Sequence, residues 1–452
     1  MAHNPINSEH FDPLLASGPG GLSWPDSYWA STIASPPQMN PALTGTHQTD
    51  VAIIGGGYTG LLTAYYLATE FNIHATVLEA NQIGFGASGR NAGFVLKGSG
   101  RLGYGQMANR WGLDTAKGIY SEFSQAVERV SDLIKDNKIL CEPQQPGYLK
   151  IAHNAKAFKQ LEQAAKFITR ELGGQAELIP LKQLTNEYMA HNQAYGALRL
   201  EDGFGVNPLK LVLGYKQLVE ARGIKIYENS CVEHWIEEQG KHRLITEQGE
   251  LLAKRVVTAG NAYTPKQFSP RVDGKFLPIL SNIIVTEPLT AEQLSEAGLK
   301  TNQVTMDTRI LKYYYRLLPD NRLLFGGRGA IFGKDASDPV YAKRLKYALN
   351  QCFPALVDVG VSYNWAGWIA AAMDDMPHVY QEDGVGYSLG YCGSGVSFSA
   401  QAAFRLAQSI AGEKTPDLPL YRLALPAFPM PGLRRLGQWA YYHYGWLRDR
   451  YG

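Results

Sequence analysis

The chain predicts an α/β plus α+β protein: a dinucleotide-binding sheet assembled from separated segments, joined to a second domain built on an antiparallel sheet. Three observations predict it. A strand-like run from Val51 to Ile54 is followed by Gly55, Gly57 and Gly60 as G-x-G-x-x-G, by helical spacing of Leu61, Leu62, Ala64, Tyr65 and Leu67, and by a second strand, Ala75 to Leu78. Far downstream, LLAKRVVTAG reads as a strand returning to that sheet, and VGYSLGYCGSGVSFSAQAAFRLAQSIAG as strand, glycine-rich turn and helix. Between them, ILKYYYRLLPDNRLLFGGRG reads as a hairpin turning at Pro319 to Asn321.

The first element is the βαβ unit of a Rossmann-like domain. Its glycines permit the tight turn and let the backbone approach a pyrophosphate, whose charge sits at a helix N-terminus. Glu79 follows the loop by roughly 20 residues, where an acidic side chain accepts a ribose hydroxyl. A second glycine-rich loop, GFGASGRNAGF, begins at Gly84. Ser88, Arg90 and Asn91 offer donors and bare backbone to a further stretch of the same ligand. A nicotinamide cofactor has no use for a second cradle, so the pair of loops points to FAD, held in a domain of the glutathione-reductase type.

Size and composition bound the rest. The 452 residues, 45% of them hydrophobic, suffice for two interleaved domains with their own cores. Basic and acidic residues number 43 and 41, which removes any electrostatic case for nucleic acid. Cys141, Cys231, Cys352 and Cys392 lie far apart without a C-x-x-C, against both structural disulfides and a zinc site, and no His/Cys/carboxylate cluster has metal-ligand spacing. With no secretory leader and no long apolar run, the expected location is cytoplasmic. The closing RRLGQWAYYHYGWLRDRYG, with four arginines among Trp and Tyr, suits either a helix lying peripherally in the inner membrane interface or a tail docked on its own domain.

The expected order is an N-terminal arm over 1–45, nucleotide-binding segments 46–100, 200–265 and 360–415, substrate-domain segments 101–199 and 266–359, and a C-terminal tail or helix over 416–452. Helical patterns run through Ala116–Lys135 and Ala155–Leu172. Another opens at Pro208, where proline suits the first turn, and stops at Gly223.

Taken in order, SYWASTIASP, GGGYTG, GFGASGRNAG, GYLKIA, AGNAYT, YYYRLLPDNRLLFGG, the WAG segment, GYCGSG and LRDRYG span nearly the whole chain. The sequence thereby resembles the D-amino-acid oxidase superfamily, and within it the gamma-glutamylputrescine oxidase-like branch. The resemblance implies an FAD-dependent enzyme that oxidises the C–N bond of an amine or amino acid to an imine by hydride transfer to flavin N5, followed by hydrolysis. A gamma-glutamylated diamine is the substrate class that the branch suggests, with oxygen or a quinone accepting the electrons. Two departures stand out. Cys392 and Ser394 replace a Ser and a His of the branch's loop, and Leu324 or Phe325 stands where some relatives carry a Lys near the flavin. The WAGWIAAAMDDMP stretch lacks the Cys with which some relatives tether FAD, so non-covalent FAD is expected. A flavin-binding protein without turnover is the alternative from another class.

The expected cofactor-binding set is Gly55, Gly57, Gly60, Glu79, Ser88, Arg90, Asn91, Val232, Gly260, Gly393, Gly395, Val396 and Ser397. Arg90 and Asn91 fall where the superfamily approaches the isoalloxazine, although Arg90 also suits a surface ion pair and Val232 a plain core position. Backbone N–H groups of the Gly393–Val396 turn, aimed from a helix start, would stabilise negative charge on a reduced flavin. Expected catalytic or substrate-contacting residues are Tyr313, Tyr315, Trp365 and Ser394. In a strand Tyr313 and Tyr315 share one face, and Lys312, Tyr314 and Arg316 the other. One face roofs the flavin, unless the tyrosines simply fill a packing layer.

Overall fold

The computed structural model describes residues 11–16, 18–35 and 37–451; the start of the expected arm, residues 1–10, lies outside them. Two eight-stranded sheets carry the chain. The first has a parallel centre in the order Val385–Leu389, Gly249–Thr258, Gly45–Ile54, Ala75–Leu78, Lys225–Tyr227. Val51, Ala52, Ile53, Val256 and Val257 are fully buried, as central strands covered on both faces require. Helices Tyr58–Phe71 and Gly395–Ile410 pack side by side over this sheet. Register pairs Ile54 with both Leu78 and Thr258, so Gly55, Glu79 and Gly260 emerge together at the carboxyl edge. Ligands of open α/β sheets bind at that edge.

The second sheet runs Val361–Ala372, Phe276–Thr286, Leu323–Arg328, Tyr314–Leu317, Val304–Asp307, Tyr148–Ile151, Gly196–Leu200, Ala176–Pro180. The hairpin forms as expected, pairing Tyr314 with Gly326 and Leu317 with Leu323. The sheet is antiparallel except where Val304–Asp307 lies parallel to Tyr148–Ile151. A parallel pairing needs a long crossover, and the chain from Ile151 to Val304 supplies one.

Two expected domain assignments shift. Strand Val361–Ala372 belongs to the second sheet, paired along its length with Phe276–Thr286, because a strand of twelve residues is satisfied by an antiparallel partner of eleven. Helix Leu113–Asp136, expected with the substrate domain, packs on Gly395–Ile410 through Phe123 and Phe398, whose rings lie 4.7 Å apart. Its buried Glu122 also accepts hydrogen bonds from Gln401, Arg405 and Tyr421.

The second sheet has two distinct faces. Leu149, Ile151, Tyr315, Leu323 and Phe325 close a core with Leu345, Leu349 and Phe353. On the opposite face Tyr148, Met306 and Tyr314 gather round Phe94, which follows the second glycine-rich loop. The second sheet therefore approaches the nucleotide-binding body through its even-numbered hairpin residues.

The C-terminal segment forms helix Arg434–Tyr451 and docks on its own chain. Arg434 donates to the Phe276 carbonyl, Arg435 pairs with Asp12 at 2.7 Å, and Asp449 accepts from Ile310 and Leu311 N–H groups. No helix among the described residues is long and apolar enough to cross a membrane.

Candidate functional site

A cleft of about 1260 Å³, its open mouth included, runs from Gly55, Glu79 and Val232 to Ile369, Cys392 and Val396. Its first wall is the glycine loop. Gly55 sits at φ +114°, where a Cβ would also lie 2.9 Å from Ala259. At Gly60 a Cβ would lie 1.9 Å from the Gly55 carbonyl oxygen, so only glycine lets the helix start beneath the turn. At Gly57 it would meet Ser88 Oγ at 2.8 Å. Ser88 Oγ in turn accepts from the Tyr58 N–H at 3.0 Å, so the second loop caps the helix that the first loop opens. The two motifs are one device.

Glu79 is buried beside them. Its Oε2 accepts from the Gly56 N–H at 2.6 Å and its Oε1 from the Asn81 N–H at 3.0 Å. Burial, opposed by these hydrogen bonds, pushes its carboxyl up from 4.5 to about 7. The folded-state value lies above the unfolded one, so between them the folded chain holds the extra proton, and raising pH across that window destabilises the FAD-free protein through this group. The ionised carboxylate is the better acceptor for two ribose hydroxyls. With the carboxyl titrating at about 7, FAD affinity is expected to rise by about tenfold in all between pH 6 and pH 8, measured by fluorescence titration of apoprotein. An equally steep rise in Glu79→Gln would assign the pH dependence elsewhere.

The site also contains groups that sequence reasoning missed. Thr258 Oγ1, Asn261 Oδ1, Thr264 Oγ1 and Ser399 Oγ are buried and unpartnered along the cleft, donors and acceptors that a polar nucleotide would satisfy. The TAGNAYT run was the available signal for the first three. Lys216 and Glu228 form a buried ion pair at 2.7 Å, and Glu228 accepts from the Ile83 N–H at 2.6 Å, fixing the entry to the second loop. Nothing in the local pattern announced that pair.

Of the expected cofactor residues, Gly55, Gly57, Glu79, Ser88, Asn91, Val232, Gly260, Gly393, Gly395 and Val396 line the cleft. Gly60 lies beneath it. Arg90 is a correction to both earlier readings. Its buried guanidinium faces neither the cleft nor solvent but donates to the Phe85 carbonyl at 2.9 and 2.5 Å and to the Ala366 carbonyl at 3.2 Å, over the Phe85 ring. Ser397 Oγ donates to the Leu96 carbonyl, and Ser394 Oγ back to the Tyr391 carbonyl, so both serve the backbone.

The expected catalytic residues need the larger correction. Tyr315 is buried on the far face of the second sheet, stacked on Phe325 at 5.5 Å, and Tyr313 leans on the same ring. They fill a packing layer. The face toward the cleft carries Tyr314, bonded to Ser281 Oγ at 2.7 Å, and Arg316, which donates to the Ala92 and Val206 carbonyls. Trp365 also lies on this side, yet its indole N–H donates to the Arg90 carbonyl at 2.8 Å. It braces the second loop instead of lining the cleft. Leu324 and Phe325 are fully buried in apolar surroundings.

No group of three metal-ligating side chains occurs among the described residues. The groups present fit a flavin dinucleotide: glycine turns for the pyrophosphate, Glu79 to accept from a ribose, backbone at Val232 for the base, and the Gly393–Val396 helix start at the other end.

Comparison with known proteins agrees with this geometry. The chain is 34% identical over 412 residues to the gamma-glutamylputrescine oxidoreductase of Escherichia coli (strain K12), covering 89% of this chain and 93% of that one. Its fold matches L-proline dehydrogenase from P. horikoshii with a TM-score of 0.68 at 17% identity, over 84% of this chain and 96% of that one. Glycine oxidase from Geobacillus kaustophilus matches with a TM-score of 0.67 at 19% identity, over 82% and 96%. The model of the DAO family, described as FAD dependent oxidoreductase, matches residues 50–409, and the chain belongs to that FAD-dependent family.

Proposed function

We propose that the protein oxidises the C–N bond of an amine or amino acid, with a gamma-glutamylated diamine or a related amine as the leading substrate class. The observation that carries this reading is the far end of the cleft. Ile369, Ala370, Tyr391 and Cys392 wall it, and the start of helix Gly395–Ile410 points into it. Bound there, FAD supplies a hydride acceptor, which takes the C–N bond to an imine that water hydrolyses. The chain supplies orientation, exclusion of water and electrostatics. Amides of Gly393, Gly395 and Val396 at the helix N-terminus favour negative charge, the Ser394 N–H being taken by the Tyr391 carbonyl, and a neutral amine donor needs no acid–base pair beside it. The likeness to a gamma-glutamylputrescine oxidoreductase over most of both chains supports the substrate class. Anaerobic titration of the purified holoprotein with amines and amino acids tests it. Bleaching of the flavin band by one class is expected; a yellow protein that no amine or amino acid bleaches would leave a flavin-binding protein without turnover.

FAD is held non-covalently in this reading. Cys231 and Cys392 line the cleft, and burial pushes their thiols up to about 11 and about 12, away from the thiolate that attachment chemistry uses. Acid precipitation is expected to leave the yellow colour in the supernatant; colour retained in the pellet would mean a covalent link.

A second reading concerns the electron acceptor. Helix Arg434–Tyr451 turns Leu436, Trp439, Trp446 and Leu447 to solvent, each more than half exposed, alongside Arg448 and Arg450. Such a face suits a peripheral membrane contact and delivery of electrons to a quinone. Hydrogen peroxide released in step with substrate loss supports oxygen as acceptor; turnover that requires a quinone and cosedimentation with anionic vesicles support the membrane reading.

A further inference from the structure

Three cations on the cleft-facing side of the second sheet make no ion pair with a carboxylate among the described residues. Lys150 lies on strand Tyr148–Ile151, in register with Met306, and shares the face of Tyr148. Arg328 closes strand Leu323–Arg328 opposite Ser281, whose hydroxyl meets Tyr314. Lys312, in the approach to Tyr314–Leu317, donates to the Gly100 carbonyl at 3.0 Å. All three are half-buried, and none has a carboxylate within 4.0 Å among the described residues. The acids that act on Lys312 are already committed, Asp307 to Arg309 and Asp375 to Arg101.

The cluster adjoins the cleft. Gly100, which holds Lys312, packs on the backbone of Cys392, where a Cβ would come 2.6 Å from the Cys392 carbonyl oxygen. Ile369, a wall of the cleft, shares the sheet face of Ser281 and Arg328. Tyr442 of the C-terminal helix and Ile369 both pack against the cluster of Ile279, Ala371 and Cys392, and Arg328 acts electrostatically on the Tyr442 phenol. Burial, then the charges of Lys150, Arg328 and Arg101, push the Lys312 ammonium down to about 7. Burial likewise lowers Lys150. Half-buried like charges cost stability unless an anion joins them.

We propose that Lys150, Lys312 and Arg328 form an anion subsite beside the flavin cleft, under the C-terminal helix, which selects amines that also carry a carboxylate. The amine end enters toward Ile369 and Cys392, while the carboxylate pairs with the three cations. This deepens the proposed amine oxidation and rests on it for the word substrate. The binding site itself is testable apart from turnover.

The test uses oxidised holoprotein and the variants Lys150→Gln, Lys312→Gln and Arg328→Gln, none of which strips a paired carboxylate of its partner. Glutarate, a carboxylate that cannot be oxidised at nitrogen, is titrated by calorimetry and through the visible flavin spectrum. Anaerobic flavin reduction is then compared for gamma-glutamylputrescine and N-acetylputrescine, which carry the same distal amine with and without the carboxylate. Glutarate is expected to bind, and each variant to weaken it by about 10- to 100-fold, the worth of a charge-assisted hydrogen bond. The preference of wild type for the carboxylated amine is expected to shrink by the same factor, through half-saturation and not through the limiting rate. Glutarate affinity equal in wild type and variants, or no glutarate binding at all, overturns the subsite. Glutarate binding that the variants lose, in a protein that no amine reduces, keeps the subsite and overturns the amine reading. Reduction by both amines alike, in wild type and variants, keeps the amine reading and overturns the subsite.

Discussion

Gly60→Ala protein is expected to be isolated without bound FAD. A methyl group at this position would lie 1.9 Å from the Gly55 carbonyl oxygen and 3.2 Å from Ile53 Cγ2. Neither can yield cheaply, since the first is backbone in the turn itself and the second belongs to a fully buried central strand. The helix must move outward, and overpacking of this kind costs on the order of 1–3 kcal/mol. The same displacement moves the amides of the helix start from the place where a pyrophosphate is held. Were about 3 kcal/mol lost from the binding conformation, affinity would fall by about 100-fold. Flavin absorbance of the purified variant, then titration with added FAD, measures the loss. Gly105→Ala is the control, for a Cβ there meets nothing within 4 Å. If Gly60→Ala retains FAD as the control does, the cleft has been assigned to the wrong ligand or the wrong loop.

Arg90→Met is expected to loosen the same site from its other side. The Arg90 guanidinium is buried and holds two carbonyls that belong to different bodies, Phe85 of the second loop and Ala366 of the second sheet. Its own carbonyl accepts from Trp365. Methionine matches much of the volume but donates nothing, so two buried acceptors lose their partner. At about 1–3 kcal/mol for each group left unsatisfied, the expected loss is roughly 3 kcal/mol. Scanning calorimetry of the holoprotein, with and without excess FAD, reads it as a lower Tm that added FAD restores only in part. Arg90→Lys should recover little, because an ammonium cannot reproduce the planar fork. A melting curve like that of wild type would make Arg90 a bystander to the loop.

Much of the cofactor end was legible because it is local. G-x-G-x-x-G works through a turn and a helix start within a dozen residues, and Glu79 reaches it across a single βαβ unit. The hairpin at Pro319–Asn321 was legible for the same reason. The faces of that hairpin were not. Alternation establishes that Tyr313 and Tyr315 go together and that Tyr314 and Arg316 go together. Which pair meets the cleft depends on where helix Pro339–Cys352 closes the sheet, and nothing within the strand records that. Strand Val361–Ala372 was misassigned on similar grounds, since its partner Phe276–Thr286 lies far away in the chain.

The sequence by itself determined the nucleotide-binding unit, the coupled second loop, FAD as the ligand, and the family. The first three rest on short-range geometry that glycine, an acidic residue and apolar periodicity impose on their neighbours; the family rests on a resemblance in motifs whose order spans nearly the whole chain. Only the tertiary structure decided which residues face the cleft. It turned Arg90 and Trp365 into a brace, sent Tyr313 and Tyr315 into a core, and set Lys150, Lys312 and Arg328, from three segments, on the same side of the second sheet. Charge clusters and buried pairs such as Lys216–Glu228 are made by contacts between segments distant in the chain, and their energies depend on burial that only the closed fold creates.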